Sequence, residues 1–160
     1  MGVVLYRYSS GQAHPVRWLF QHSVDDAQQH QQQVVSNAKV LAERLQEGGV
    51  RLVSGGTDNH LMLADVFSRG RTGAEVQELL DRAHITANKN TIPFETQSVR
   101  TTSGMRFGTP AATTRGMQEA QMREIGAMIC RLIDEGEAAV PAVRDEVIAL
   151  CEQFPLYPTL

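Results

Sequence analysis

The chain has 160 residues, of which 42% are hydrophobic and 21% are charged, and its formal net charge is −3. This length is that of one domain and suffices to bury a core without a metal or a disulfide. The mild acidity gives no electrostatic reason to expect nucleic acid or an anionic membrane as a partner. No apolar run is long enough to span a bilayer, and we expect a cytoplasmic protein.

Residues 1–23 mix aromatic side chains with glycine, proline and serine, and they show neither helical nor strand periodicity. We treat them as a separate N-terminal segment and a candidate for disorder, and we assign the domain to residues 24–160. Ser23 is the expected N-cap of a first helix that ends at Gly48-Gly49. The glutamine-rich run 28–33 is interpreted as a solvated face of this helix. Its apolar stripe consists of Val34, Ala38, Leu41 and Leu45.

The next part of the chain predicts an antiparallel hairpin, because the β-prone runs 50–53 and 61–66 flank a segment dense in turn-forming residues. Thr72 and Glu75 then form a capping box, which opens a helix. The apolar face of that helix consists of Val76, Leu79, Leu80 and Ala83. A third strand is expected from Thr101 to Phe107.

The C-terminal part predicts helices. Thr109 and Pro110 are expected as N-cap and first residue of a short helix. A long helix after Gly116 and a last one from Pro141 follow. Their apolar stripes are Met122, Ile125, Ile129 and Leu132, and Val143, Val147, Leu150 and Phe154. Cys130 and Cys151 lack CxxC spacing and are interpreted as reduced core residues. The fold class is α+β, with a small, mostly antiparallel sheet covered by helices.

Three polar, glycine-containing segments are specific enough to suggest a site, namely 54–60, 88–93 and 102–111. In the third, Arg106 lies between Gly104 and Gly108 in a β-prone run, so the backbone can approach a ligand closely. The planar fork of an arginine binds a carboxylate through two parallel hydrogen bonds. The alternative is a structural or surface ion pair.

Together these segments resemble the C-terminal part of serine hydroxymethyltransferase. They read V-S-G-G-T-D-N-H at 53–60, A-N-K-N-T-I-P at 87–93 and T-S-G-M-R-F-G-T-P-A at 102–111. The flanking runs Q-Q-Q-V-V-S-N-A-K at 31–39 and F-P-L-Y at 154–157 also match. The resemblance covers residues 24–158. It implies the fold of the C-terminal domain of fold-type I pyridoxal-phosphate enzymes.

The resemblance also implies roles for individual residues. That family interconverts serine and glycine with pyridoxal phosphate as cofactor and tetrahydrofolate as one-carbon carrier. Arg106 matches the arginine that holds the α-carboxylate of the substrate, and Asn90 matches a folate contact. Ser98, Val99 and Arg100 match a folate-binding loop whose residues vary here. Lys89 is the neighbour of Asn90 in the motif and not the Schiff-base lysine, while His60 closes the hairpin and is expected to have a hydrogen-bonded structural role.

The sequence departs from the family because the catalytic lysine, its T-T-H-like run and the phosphate-binding turns are absent. No catalytic, cofactor-binding or metal-binding residue is therefore assigned. The leading hypothesis is a C-terminal domain or fragment of this transferase, inactive alone, with a large domain or a second copy as partner. The alternative is a non-catalytic module that docks on a full-length enzyme or binds a small carboxylate. A catalyst of another class is disfavoured, because HxxxH, GxSxG and Walker motifs are absent.

Overall fold

The computed structural model describes residues 4–5 and 24–156 and shows a small antiparallel sheet covered by helices, which confirms the α+β class. The helices are α1 (Val24–Glu47), α2 (Gly73–Arg82), α3 (Pro110–Thr114), α4 (Glu119–Glu135) and α5 (Val140–Gln153). The strands are β1 (Val4–Leu5), β2 (Arg51–Leu52), β3 (Leu61–Asp65), β4 (Ile85–Thr86), β5 (Asn88–Asn90) and β6 (Gly104–Gly108). Short 3-10 turns occupy Phe67–Arg69 and Gly136–Ala139.

The main sheet has the order β2-β3-β6-β5, and every neighbouring pair is antiparallel. The predicted hairpin is confirmed as β2 and β3, with Leu52 opposite Ala64. A separate two-stranded ribbon joins β1 to β4. Strands β1, β4 and β5 were not predicted, since two or three residues are too few to show a period.

The third strand begins at Gly104 rather than at Thr101 as expected. Thr102 has a φ of 55°, which is outside the extended region. The carbonyl groups of Thr101 and Thr102 accept hydrogen bonds from the first amides of α2, those of Ala74 and Gly73, both at 2.9 Å. These two residues therefore cap a helix instead of extending a strand.

The predicted apolar stripe of α1 is confirmed, and the helix ends before Gly48, as expected. Gly48 lies so close to α4 that a Cβ there would overlap the sulfur of Cys130. In the glutamine-rich run the side chains of Gln28, Gln29, Gln31 and Gln32 are exposed, in agreement with a solvated face. Ser23 lies outside the described residues.

The predicted stripes of α2 and α4 are buried throughout, and so are Val143, Val147 and Leu150 of α5. The last helix starts at Val140, one residue before the expected Pro141. Cys130 and Cys151 are buried free thiols, and burial raises the pKa of each. This confirms their interpretation as reduced core residues.

Pro110 is the first residue of α3, as predicted, but the side chain of Thr109 does not cap that helix. Its hydroxyl instead donates to the carbonyl oxygen of Val34 on α1, at 2.7 Å. Thr109 thus occupies the N-cap position as predicted, and only the capping hydrogen bond of its side chain is absent. The same hydroxyl ties α1 to the strand–helix connection, a link between positions 75 residues apart that no local pattern could indicate.

Three expectations concern absences or the N-terminal segment. Among the described residues, no helix is long and apolar enough to cross a membrane. Nor does that part of the chain contain a cluster of metal-ligating side chains. Within residues 1–23, Val4 and Leu5 form β1. The first helix, α1, begins at Val24, the first residue of the assigned domain. The disorder considered for the rest of that segment lies outside the described residues.

The buried amide of Asn37 generates a first prediction. Its Nδ2 donates to Thr113 Oγ1 and to Met117 O, both at 2.9 Å, and its Oδ1 accepts from Gln33. Asn37→Ala is expected to lower the free energy of unfolding by about 1–3 kcal/mol, because buried acceptors lose their donor. Urea unfolding measures this, with the exposed Gln32→Ala as control, which should stay within about 0.5 kcal/mol of the parent. Equal losses in both variants would contradict the prediction.

The capping box of α2 generates a second prediction. The Thr72 amide donates to Glu75 Oε2 at 2.7 Å, and the Glu75 amide donates to Thr72 Oγ1 at 3.3 Å. Thr72→Ala is expected to cost about 0.5–2 kcal/mol of stability, whereas the exposed Ser36→Ala should cost less than about 0.5 kcal/mol. Both are measured by urea unfolding at neutral pH.

This prediction also has a pH dependence. Hydrogen bonds from the Thr72 amide and, as the smaller contribution, from the Thr72 hydroxyl lower the pKa of the Glu75 carboxyl. The pKa of Glu75 is thus lower in the folded state than in the unfolded chain, where it is about 4.3. Its hydrogen bonds therefore stabilise the fold fully above about pH 4.3. This stabilisation is lost as the pH falls through the folded-state pKa. The difference between parent and Thr72→Ala should therefore shrink below about pH 4. A difference that grows on acidification would contradict this assignment.

Candidate functional site

Strand β6 has two different faces. Met105 and Phe107 are fully buried in the core beneath the helices, whereas Arg106 between them is half-buried. Since side chains alternate along a strand, Arg106 projects from the opposite face of the sheet. Gly104 and Gly108 share that face and carry no side chains. On this face of β6, Arg106 is therefore the only residue with a side chain.

The cross-strand neighbours of Arg106 are Leu63 on β3 and Asn88 on β5. Neither is charged. The Nε of Arg106 is buried and has no hydrogen-bond partner, and no carboxylate among the described residues pairs with its guanidinium. A buried polar group left unsatisfied costs about 1–3 kcal/mol, so its persistence calls for an explanation. The ion-pair alternative for this residue finds no partner in the described part of the chain.

Asn90 lies on the same sheet face as Arg106, one strand away. It is paired with Gly104, while Arg106 is paired with Asn88 two residues earlier. Diagonal neighbours of this kind are separated by about 7–8 Å. The Nδ2 of Asn90 donates to the carbonyl of Thr91 at 2.6 Å. The sheet thus brings two of the sequence-predicted site residues together.

Lys89 lies on the other face of β5. It is paired with Met105, which belongs to the core face, and its Cβ lies against Gly73 at the start of α2. Its backbone amide donates to Gln77 Oε1 at 3.0 Å. A side chain that leaves the sheet on the helical side starts away from Arg106.

Ser98, Val99 and Arg100 form an exposed turn, in which the Ser98 carbonyl accepts from the amides of Thr101 and Thr102 at 3.0 and 2.8 Å. Val99 is 79% exposed. None of the three lines the cavity that adjoins this loop. The three residues lie in the connection between β5 and β6 and belong to neither strand.

His60 was expected to have a hydrogen-bonded structural role. Its backbone carbonyl accepts from the amide of Thr109 at 3.1 Å, which links the hairpin to the start of α3. The imidazole itself is exposed. The hairpin loop is held mainly by Thr57, whose hydroxyl donates to the Leu61 carbonyl at 2.6 Å, and by the Oδ1 of Asn59, which accepts from the Leu61 amide.

Sequence reasoning missed Glu95, the acceptor at the centre of the 91–103 connection. Its carboxylate accepts from the amides of Ser103 and Gln97, both at 2.9 Å, from the amide of Ile92 at 3.3 Å and from the Ser103 hydroxyl. Burial raises the pKa of this carboxyl, but the hydrogen bonds outweigh it and lower the pKa to about 2. Its partner Ser103 is eight residues away, so no local motif marks it.

A cavity of about 340 Å³ adjoins this connection. Phe67 and Phe94 line it together with the ion pair of Arg51 and Asp65, whose nearest atoms are 2.7 Å apart. Phe94 is 99% exposed and has a φ of 61°, an uncommon conformation for a bulky residue. This cavity contains neither Asn90 nor Arg106.

Two other cavities lie away from Arg106. The larger, about 750 Å³, lies between α1, α4 and α5, and it contains paired charges such as Arg131 with Glu146 at 2.7 Å. The smaller, about 300 Å³, is lined by residues of α1 and the segment after α3. Neither of these two cavities contains the unpaired arginine, and we base the candidate site on Arg106.

Pyridoxal phosphate does not fit the described residues. The cofactor requires a lysine in a pocket, yet Lys39 is exposed on α1 and Lys89 starts on the helical side of the sheet. Neither lysine lines any of the three cavities. The arrangement can bind and orient a carboxylate, and we derive no chemical step through the cofactor from it.

Comparison with known proteins identifies the family. The family model described as serine hydroxymethyltransferase matches residues 14–129. The match thus starts within residues 1–23, which the resemblance of the motifs did not cover. The serine hydroxymethyltransferase of Myxococcus xanthus (strain DK1622) is 52% identical over 130 residues, which is 80% of this chain and 31% of that protein.

The serine hydroxymethyltransferase of Methanospirillum hungatei JF-1 is 49% identical over 140 residues, which is 86% of this chain and 34% of that protein. The chain therefore spans about a third of the length of the curated relatives it matches. The family model covers more than half of the chain, and the motifs around Asn90 and Arg106 lie inside the match. The chain belongs to the serine hydroxymethyltransferase family.

Proposed function

We propose that this chain is a C-terminal domain or fragment of a serine hydroxymethyltransferase, in which Arg106 binds the α-carboxylate of serine or glycine. The observation that carries the proposal is the guanidinium of Arg106, which is half-buried, has an unpartnered Nε and lies between two glycines on the sheet face opposite Met105 and Phe107. Two parallel N–H···O bonds to a carboxylate would satisfy that nitrogen and compensate the charge.

In this proposal Asn90 contributes to the folate site. Its position on the same sheet face as Arg106 supports this, because an amino acid bound at Arg106 and a folate bound at Asn90 would then lie next to each other. Ser98, Val99 and Arg100 are proposed as an outer part of the folate site. Their exposure leaves them accessible to a ligand.

The assembled enzyme would interconvert serine and glycine with tetrahydrofolate as one-carbon carrier. Pyridoxal phosphate would supply the electron sink for this chemistry and would be held by protein outside the described residues. What this chain's own residues do is narrower. Arg106 holds the carboxylate end of the amino acid at a fixed place, and the sheet beneath it keeps the guanidinium in position. The chain alone is expected to be inactive.

A second candidate function is a non-catalytic module that binds a small carboxylate or docks on a full-length enzyme. The observation that favours it is the combination of an unpaired arginine with lysines that line none of the three cavities. Mixing the chain with a complete relative separates the two candidates. Inhibition or activation at stoichiometric ratios favours the module.

Arg106→Lys tests the main proposal. A chimera carries this chain in place of the matching third of the Myxococcus xanthus relative, and glycine binding is titrated calorimetrically. The substitution keeps the charge but loses the fork, so glycine affinity should fall by about 10- to 150-fold, the equivalent of about 1.5–3 kcal/mol for a charged hydrogen bond.

The matched control is Arg123→Lys on α4, where an exposed arginine faces Glu43 and Glu47 at 3.7 and 3.5 Å. Such surface pairs contribute little, and this variant should bind glycine like the parent. If Arg106→Lys also binds like the parent, Arg106 does not hold the carboxylate.

A further prediction concerns pyridoxal phosphate and the chain by itself. Because Lys39 is exposed and Lys89 starts on the helical side of the sheet, neither should form a specific adduct with the cofactor. The chain is incubated with equimolar pyridoxal phosphate, reduced with borohydride and mapped by peptide mass spectrometry. Only low, scattered labelling is expected. Stoichiometric label at one of the two lysines would contradict the prediction.

A further inference from the structure

The connection between β5 and β6, residues 91–103, is folded around one carboxylate. Glu95 Oε2 accepts from the amide of Ile92 at 3.3 Å and from the amide of Ser103 at 2.9 Å. Glu95 Oε1 accepts from the amide of Gln97 at 2.9 Å and from the Ser103 hydroxyl. Ile92 follows the end of β5 and Ser103 precedes the start of β6, so one side chain joins both ends of the connection.

The two ends that Glu95 joins are next to the candidate site. Ile92 is two residues after Asn90, and Ser103 is three residues before Arg106. The side chain of Ile92 lies on the backbone of Gly104, where an added Cβ would overlap Ile92 Cγ2 and come within 2.9 Å of the Asn90 carbonyl. The connection is thus held against the sheet face that carries the unpaired arginine.

The hydrogen bonds of Glu95 differ from a surface ion pair. All four donors are backbone amides or a hydroxyl, and none is a cation. The charged side chains that line the adjoining cavity, Arg51 and Asp65, are paired with each other. Salt screening therefore weakens the bonds of Glu95 less than it would weaken an exposed ion pair. Each bond also fixes a donor of the connection in one place.

We propose that Glu95 is a positioning residue for the carboxylate-binding site, because its carboxylate fixes the connection that places Asn90 and Arg106 side by side. The proposal rests on the function proposed above for Arg106. Glu95 does not touch the ligand in this view. It acts through the backbone of residues 91–103. That backbone is also held by the Ser98 turn, by the contacts of Thr101 and Thr102 with α2, and by the Ser103 carbonyl, which accepts from the amides of Val66 and Phe67, both at 3.1 Å.

Glu95→Gln tests the proposal in the intact 160-residue chain, labelled with nitrogen-15. A glutamine amide has one oxygen and one NH₂ group, so at least two of the four donors lose their acceptor. Hydrogen exchange at the amides of Ile92, Gln97 and Ser103 should accelerate by about 10-fold or less, as expected for a net loss of 0.5–1.5 kcal/mol per bond. Glu78→Gln, at an exposed position on α2, is the matched control and should leave these rates unchanged.

The decisive signal is the Nε–H resonance of Arg106, which a role confined to the loop would not move. It should shift in Glu95→Gln and, less strongly, in Ser103→Ala, which removes only the hydroxyl donor. In the parent chain the Ser103 amide should titrate with a midpoint near pH 2, following the lowered pKa of Glu95. Because this pKa lies below the unfolded value, the stability gap between parent and Glu95→Gln should shrink as the pH falls from about 5 to 2.

The outcomes separate this proposal from the proposed function. Faster exchange with an unchanged Arg106 resonance would make Glu95 a loop anchor only and overturn its positioning role. Equal exchange in Glu95→Gln and Glu78→Gln would overturn it as well. In the chimera, Glu95→Gln should weaken glycine binding by about 2- to 10-fold. A further outcome is that the chimera with Glu95 intact binds no glycine, while the Arg106 resonance still shifts in Glu95→Gln. In that case the proposed function is wrong, whereas the role of Glu95 in positioning Arg106 is confirmed.

Discussion

The antiparallel pairing of β3 with β6 determines which side chains enter the core and where Arg106 lies. Five consecutive residue pairs fix the register, from Leu61 opposite Gly108 to Asp65 opposite Gly104. This register places Met105 and Phe107 in the core and Arg106 on the other face. A slip of one residue would exchange the two faces and carry the guanidinium into the apolar core, where an unpaired charge is very costly. The buried side chains therefore enforce the position of the arginine.

Two charged side chains near strand β6 differ in their hydrogen bonding. Glu95 has four hydrogen-bond donors from its own chain, whereas Arg106 keeps a buried Nε without a partner among the described residues. Satisfying the first stabilises the fold, and leaving the second unsatisfied reduces that stability. Strain or lost stability of this kind is common at binding sites, where a ligand supplies the missing bonds.

The sequence predicted those parts of the fold that depend on local patterns. The helical stripes and the capping box of Thr72 and Glu75 repeat at short, regular spacing, and the structure contains them. It did not predict β4 or β5, which are two and three residues long. It also missed the hydroxyl bond of Thr109 to α1 and the bonds of Glu95 to Ser103. These join distant or irregular segments, so only the tertiary structure brings the partners together.

The candidate site forms one wall rather than a closed pocket. Arg106 is flanked on its own strand by Gly104 and Gly108, and across the sheet by Leu63 and Asn88. None of these four supplies a charge or a nucleophile that could act on a bound amino acid. A ligand held at Arg106 would therefore present its opposite side to groups from outside the described residues. Since ligand sites bury most of their ligand, that second wall must come from groups outside the described residues before the arginine can bind its substrate tightly.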